Sequence, residues 1–238
     1  TYFTGNDNAY NQGNMVKAQD ENYKLKKNNY FYGQGDLQFE IIQGLNVKAN
    51  LYKSRFSSDN SNWESPDNAL GGGSGNSLGD SSNGYARRSN FSWDRELMEW
   101  TANYNRAFGA EEKHKLDALL GYSWESNAYQ SQSSMATNFA IASMGANSIQ
   151  TGNDLKIGNV TSSKNEYKLI SFFARAHYSF DERYMITATV RRDGSSKFGA
   201  NHKWGWFPSV SAAWGLSQEG FMKDIKWISD LKLRAGWG

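Results

Sequence analysis

Apolar and polar side chains alternate along much of this chain, and the alternation marks out strands. Tyr184, Ile186, Ala188 and Val190 share one face, while Met185, Thr187, Thr189, Arg191 and Asp193 share the other. Successive side chains on a strand point to opposite faces, so this period of two predicts one apolar and one polar face. The pattern recurs over 36–43 (Leu37, Phe39, Ile41), 45–56 (Leu45, Val47, Ala49, Leu51) and 90–108 (Met98, Trp100, Ala102, Tyr104, Phe108). It returns over 114–129 (Leu116, Ala118, Leu120, Tyr122, Trp124) and 164–180 (Ile170, Phe172, Ala174, Ala176, Tyr178, Phe180). Two further runs carry Trp206, Val210, Ala212, Trp214 and Leu216, and then Leu231, Leu233, Ala235 and Trp237. Together these make about eight strands of an all-β, antiparallel fold.

The connections alternate in length. Tight turns are expected at Gln43-Gly44, at 109–113 and at Asp181-Glu182, with a connector of about a dozen residues after Ser217. Polar loops are expected over about 57–88, 130–163 and 197–203, and residues 1–29 read as a polar loop in which Tyr2, Phe3, Tyr10 and Tyr23 are scattered aromatics or ligand-stacking ones. Loops of this length count against a compact soluble domain. They suit a transmembrane barrel, whose turns are short on the periplasmic side and long on the extracellular side. That rule puts the turns at Gln43, Gly109 and Asp181 and the connector at Gln218 inside, and the three loops outside. Trp206 and Trp214 stand eight residues apart on the apolar face. That is roughly 26 Å of strand, or about 20 Å when tilted by about 40°, near the height of a barrel's apolar band between its aromatic girdles.

Composition changes this picture little. Aromatic residues make up 15% of the 238 residues and cysteine is absent, so there is no disulfide framework, thiolate metal site or cysteine nucleophile. A net charge of +2 gives no sign of a nucleic-acid partner. The mean hydropathy is −0.75, and no run reaches the ~20 apolar residues a membrane helix needs, but a barrel strand is half polar and keeps the mean low. The chain opens on Thr1 without an initiator methionine or a signal peptide.

No residue set reads as an active site. The stretch Leu78-Gly79-Asp80-Ser81-Ser82 resembles a hydrolase motif but sits in a low-complexity loop without strand–turn–helix context. His114, His177 and His202 match no metal spacing. Asp59-Asn60-Ser61-Asn62 starts like a calcium loop and lacks its later Gly and Glu. Gly71–Gly75 has no following Lys-Ser/Thr for a phosphate. Neither cofactor nor metal is expected, nor catalysis. Arg175, His177, Arg191 and Asp193 fall on the polar faces of two hairpin-paired strands. They read either as a lumen wall contacting a plug or a passing substrate, or as a ladder of hydrogen-bonded cross-strand pairs.

Three stretches carry a family likeness. Val190–Gly199 (VRRDGSSKFG), Trp204–Met222 (WGWFPSVSAAWGLSQEGFM) and Ile228–Gly238 (ISDLKLRAGWG) resemble the SusC/RagA family of TonB-dependent outer-membrane transporters of Bacteroidota. The likeness extends more loosely through Ser89–Ser126. It implies that the chain is part of one barrel domain of about 22 strands with a plugged lumen, ending inside a strand and lacking the plug, the TonB-contacting segment and the closing strand. It implies an outer-membrane location, a SusD-like surface lipoprotein, TonB as energy source, and import of a large glycan oligomer or peptide. A self-contained eight-stranded adhesin or structural barrel and a soluble sugar-binding β-sandwich are the alternatives.

Overall fold

The computed structural model describes residues 19–65, 84–140, 142–154, 156–222, 225 and 227–238. Among them nine strands form one antiparallel sheet: β1 (Tyr23–Ile42), β2 (Leu45–Glu64), β3 (Tyr85–Phe108), β4 (His114–Phe139), β5 (Gly152–Asp154), β6 (Val160–Phe180), β7 (Tyr184–Ser195), β8 (Trp204–Gly215) and β9 (Lys232–Trp237). The order is β1-β2-β3-β4-β6-β7-β8-β9, with β5 paired to β4. Among the described residues the sheet is open, with β1 and β9 at its edges. The closed eight-stranded barrel and the two-layer sandwich are therefore not what these residues form.

The strands outrun their apolar runs. The first begins at Tyr23 rather than Asp36, the second runs on to Glu64, and the third starts at Tyr85. The fourth reaches Phe139 and the sixth begins at Val160. Strand residues therefore take up 57–64 and 85–88 of the expected loop 57–88, and 130–139 and 160–163 of the expected loop 130–163, and β5 lies within the latter. Asp59–Asn62 sits inside β2, where alternation sends its side chains to opposite faces, so it is no calcium loop. The interval from β7 to β8 is 196–203, close to the expected loop. The cause of the mismatch is physical: a ladder is held by backbone hydrogen bonds and continues where the apolar pattern stops. Residues 71–75, 78–82 and 1–18, with Tyr2, Phe3 and Tyr10, lie outside the described residues.

Tight connections use left-handed backbone. Gly44 (φ 84°) and Gly109 (φ 85°) turn two hairpins. Asp181 (φ 51°) and Glu182 (φ 54°) are both left-handed, and Arg183 N–H donates to the Phe180 carbonyl at 3.0 Å. Two consecutive left-handed residues make a type I′ turn, whose twist matches a hairpin.

The chain divides into two units. The first comprises residues 1–31, 55–94 and 128–165 and holds a small core of Trp63, Ala86, Ala136, Phe139 and Ala146, flanked by Tyr23 and Ile149. Trp63 meets Phe139 edge-on at 5.0 Å. The Tyr23 hydroxyl accepts from Ala146 N–H at 3.0 Å, and the Asn22 side chain accepts from Ser65 N–H at 2.8 Å. Tyr23, expected in a loop, is thus the first residue of a strand and ties the 142–147 turn down.

The second unit comprises residues 32–54, 95–127 and 166–238. Its apolar face has no covering layer among the described residues. Phe39 is 60% exposed, Leu120 64%, Ile186 50%, Trp206 63% and Leu233 59%. On β7, Tyr184, Ile186 and Ala188 are exposed while Met185, Thr187 and Thr189 are half-buried. A water-soluble sheet does the reverse and buries its apolar side.

Candidate functional site

The register of the second unit fixes which side chains share the polar face. β6 and β7 pair Ser171 with Asp193, Phe173 with Arg191, Arg175 with Thr189 and His177 with Thr187. The four candidate residues Arg175, His177, Arg191 and Asp193 therefore lie on one face, each with a partner. Arg191 Nε donates to both Asp193 carboxylate oxygens, at 2.8 and 2.9 Å, and its Nη2 donates to Ser171 Oγ at 3.1 Å. Its guanidinium also lies 5.7 Å from the Phe173 ring centre. Arg175 Nη2 donates to Asp117 on β4 at 3.0 Å, and His177 Nδ1 lies 2.8 Å from Thr187 Oγ1. The geometry is that of a cross-strand polar ladder. These groups are partly exposed, so their pairing chiefly fixes where the charges stand and adds little stability.

Toward the Asp181 turn the same face forms a recess of about 590 Å³, lined by Lys115, Asp117, His177, Ser179, Glu182 and Lys232 among others. Lys115 donates to Glu182 at 2.5 Å. That hydrogen bond holds the Glu182 carboxyl below the usual carboxylate range, and Arg183 does the same for Asp181. Glu219 accepts from the Tyr184 hydroxyl at 2.6 Å and from Trp214 Nε1 at 2.9 Å, and these bonds also hold its carboxyl low.

Sequence reasoning missed a second polar cluster, on β1–β4. Arg95 pairs with Glu125 at 3.0 Å and stands 5.7 Å from the Tyr52 ring centre, while Tyr52 meets Tyr32 at 5.6 Å. Asn127 also donates to Glu125, at 2.7 Å. A signal for it exists: Tyr52 and Arg95 occupy polar-face positions of runs whose apolar faces are plain in the sequence. Gly121 also belongs to this face. A Cβ there would run into the Phe173 ring, so the glycine lets that ring lie flat across β4.

The apolar face carries two aromatic rows. In one, Phe108 stacks on His114 at 5.1 Å, His114 meets Phe180 at a tilt at 4.9 Å, and Phe180 stacks on Tyr184 and Tyr184 on Trp214, each at 6.4 Å. In the other, Tyr122 meets Phe172 at 5.3 Å and Phe172 meets Trp204 at 6.2 Å, with Trp206 beside them. On β7 and β8 the rows are eight residues apart, because Tyr184 pairs with Trp214 and Arg192 with Trp206. The spacing is roughly 26 Å along the strand. No helix among the described residues is long and apolar enough to cross a membrane, which says nothing of strands.

Comparison with known proteins follows the same lines. The model of the TonB dependent receptor-like β-barrel family matches residues 1–238. A TonB-dependent receptor of Formosa agariphila is 38% identical over 138 residues, which are 57% of this chain and 13% of that protein. The TonB-dependent receptor SusC of Bacteroides thetaiotaomicron is 44% identical over 89 residues, 37% of this chain and 9% of that protein. Among solved structures, the RagAB peptide transporter is 25% identical, with a TM-score of 0.77 over 91% of this chain and 23% of its own. The chain spans less than a quarter of the length of each of these relatives. Matched by the family model over all its residues, this chain belongs to the TonB-dependent receptor-like β-barrel family.

Proposed function

We propose that this chain is a stretch of the barrel wall of an outer-membrane importer that takes up a large nutrient, a peptide or glycan oligomer, with energy from TonB. The observation that carries the reading is the uncovered apolar face of the second unit, bounded by two aromatic rows whose spacing is near the height of a barrel's apolar band. In lipid such a face needs no second layer, whereas in water it would be a large aggregation-prone patch. The polar face, with Arg175, His177, Arg191 and Asp193, then lines the lumen and meets the plug or the passing substrate. The turns at Gln43, Gly109 and Asp181 face the periplasm, and the connections from β2 to β3, β4 to β6 and β7 to β8 face outward.

The likeness to SusC and to the RagAB peptide transporter supports a SusD-like surface lipoprotein as partner and a peptide or glycan as cargo. The wall itself does no covalent chemistry in this reading. The test is uptake by cells carrying the full-length protein, with fluorescent peptides and glycan oligomers as probes. Uptake should fall to background when either this protein or TonB is removed. Unchanged uptake of every probe in both deletions would refute the proposal.

A further inference from the structure

Consecutive arginines on β7 meet opposite fates. Arg191 faces the polar side and is bound to Asp193 and Ser171. Arg192 faces the apolar side, in register between Phe172 of β6 and Trp206 of β8. Its guanidinium carbon lies 4.6 Å from the Trp204 ring centre and 5.1 Å from that of Trp206. Gly194 makes this possible, since a Cβ there would stand 2.9 Å from three atoms of the Trp204 ring. Among the described residues no carboxylate forms an ion pair with Arg192, and its Nε is buried without a hydrogen-bond partner.

We propose that Arg192, held over Trp204 and Trp206, is a binding site for the phosphate of an anionic lipid headgroup. The inference rests on the membrane-wall reading, because it needs the apolar face to meet lipid. A cation at the end of an apolar strand face is costly unless it reaches the interface or a counter-ion. The indole rings attract its charge and fix its plane, but they accept none of its in-plane N–H bonds. What they leave to a ligand is the Nη end of the guanidinium fork, whose parallel N–H groups match two oxygens of a phosphate. Indoles at this level suit a headgroup boundary, where Trp is enriched. A phosphate there would meet the charge through the Nη groups, and the acyl chains would continue down the apolar face past Val190 and Ala188, which lie on the same side of β7.

The experiment uses the full-length protein in detergent, with retained lipid counted by native mass spectrometry after addition of phosphatidylglycerol or phosphatidylcholine. Wild-type protein should retain phosphatidylglycerol in preference to phosphatidylcholine. Arg192→Gln should weaken phosphatidylglycerol binding by about tenfold, whereas Arg234→Gln on the opposite face should leave it unchanged. Arg192→Lys should fall between, keeping the charge but losing the fork. Equal retention by wild type and Arg192→Gln would overturn the proposal. Displacement of the lipid by an excess of inorganic phosphate would overturn the lipid as the source. Heat-modifiable migration of each variant is read in parallel: a folded barrel without lipid preference refutes this site alone, whereas no membrane-assembled barrel in the wild type refutes the wall reading beneath it.

Discussion

The two units use one alternating pattern for opposite ends. In the unit of 55–94 and 128–165, Trp63, Ala86, Ala136 and Phe139 turn toward one another and are 0–3% exposed. In the unit of 95–127 and 166–238, apolar-face residues of β4, β6 and β8 such as Leu120, Phe172 and Trp206 are 48–64% exposed. The parity that carries Met98 and Trp100 on β3 carries Arg88 and Asn90 nearer its start. On β4 the parity of Leu120 and Trp124 passes to Gln132 and Ser134. Arg88, Asn90, Gln132 and Ser134 line a polar recess of about 550 Å³ together with Asp59. Period two sets only which side a residue takes; what it meets there decides whether it is polar, packed or bare.

The contrast should fail first where a packed ring is lost. Phe139→Ala removes a ring packed on Trp63 and should cost about 3–5 kcal/mol locally. Hydrogen exchange in the assembled protein should then speed up over 136–149 and stay unchanged over 184–192. Ala188→Arg on the bare face should cost about 2–4 kcal/mol if that residue lies at mid-bilayer, while Thr189→Arg one position on, facing the lumen, should cost far less. Urea unfolding of the full-length barrel in liposomes distinguishes them, and equal losses would place both residues in one environment.

Enlarging two alanines probes the same contrast more gently. Ala136 is fully buried, so Ala136→Leu should cost about 1–3 kcal/mol through overpacking. Ala188→Leu meets fluid acyl chains and should be close to neutral by the same unfolding measurement. Equal cost at both sites would mean that Ala188 sits in a packed core.

A weaker effect is expected at the Asp181 turn. Asp181, Glu182 and Glu219 are held below their ordinary range, chiefly by hydrogen bonds from Arg183, Lys115 and Tyr184 respectively. A depressed carboxylate contributes stability above its unfolded value of about 4 and loses it as pH falls through the lower folded value. Protease nicking at this turn should therefore rise below about pH 4, and Lys115→Gln should move the onset toward higher pH.

Much of the fold is legible in the sequence because apolar alternation is strong where one face meets a uniform medium. Tyr184 to Val190 and Leu116 to Trp124 mark their strands and faces directly, and the Gln43-Gly44 turn follows from its residues. Strand ends are not legible. Past Leu51, Met98 and Ile170 the outward positions become Lys53, Glu96 and Lys168, and charged positions look like loop although the ladder continues. Lys53 and Glu96 pair at 2.7 Å within it. β5 escapes notice because three residues carry no period. Parity also puts Arg175, His177, Arg191 and Asp193 on one face. It leaves out Asp117 and Ser171 as their partners, which only the register between strands supplies. Arg192 is inconspicuous in the sequence because its apolar-face position looks like the end of a strand, whereas the structure sets it over two indoles.

The central claim is that the face of Tyr184, Ile186, Ala188 and Val190 looks into lipid. The 238 residues contain no cysteine, so in a full-length protein with any cysteine elsewhere replaced, nitroxides can be attached one at a time through cysteines placed from 185 to 190 and studied in liposomes. Collision rates with oxygen, which concentrates in hydrocarbon, are compared with those of a water-soluble nickel chelate. The account predicts a period of two, with oxygen favoured at 186, 188 and 190 and the nickel chelate at 185, 187 and 189. Oxygen favoured at the odd positions, or no alternation at all, would contradict it.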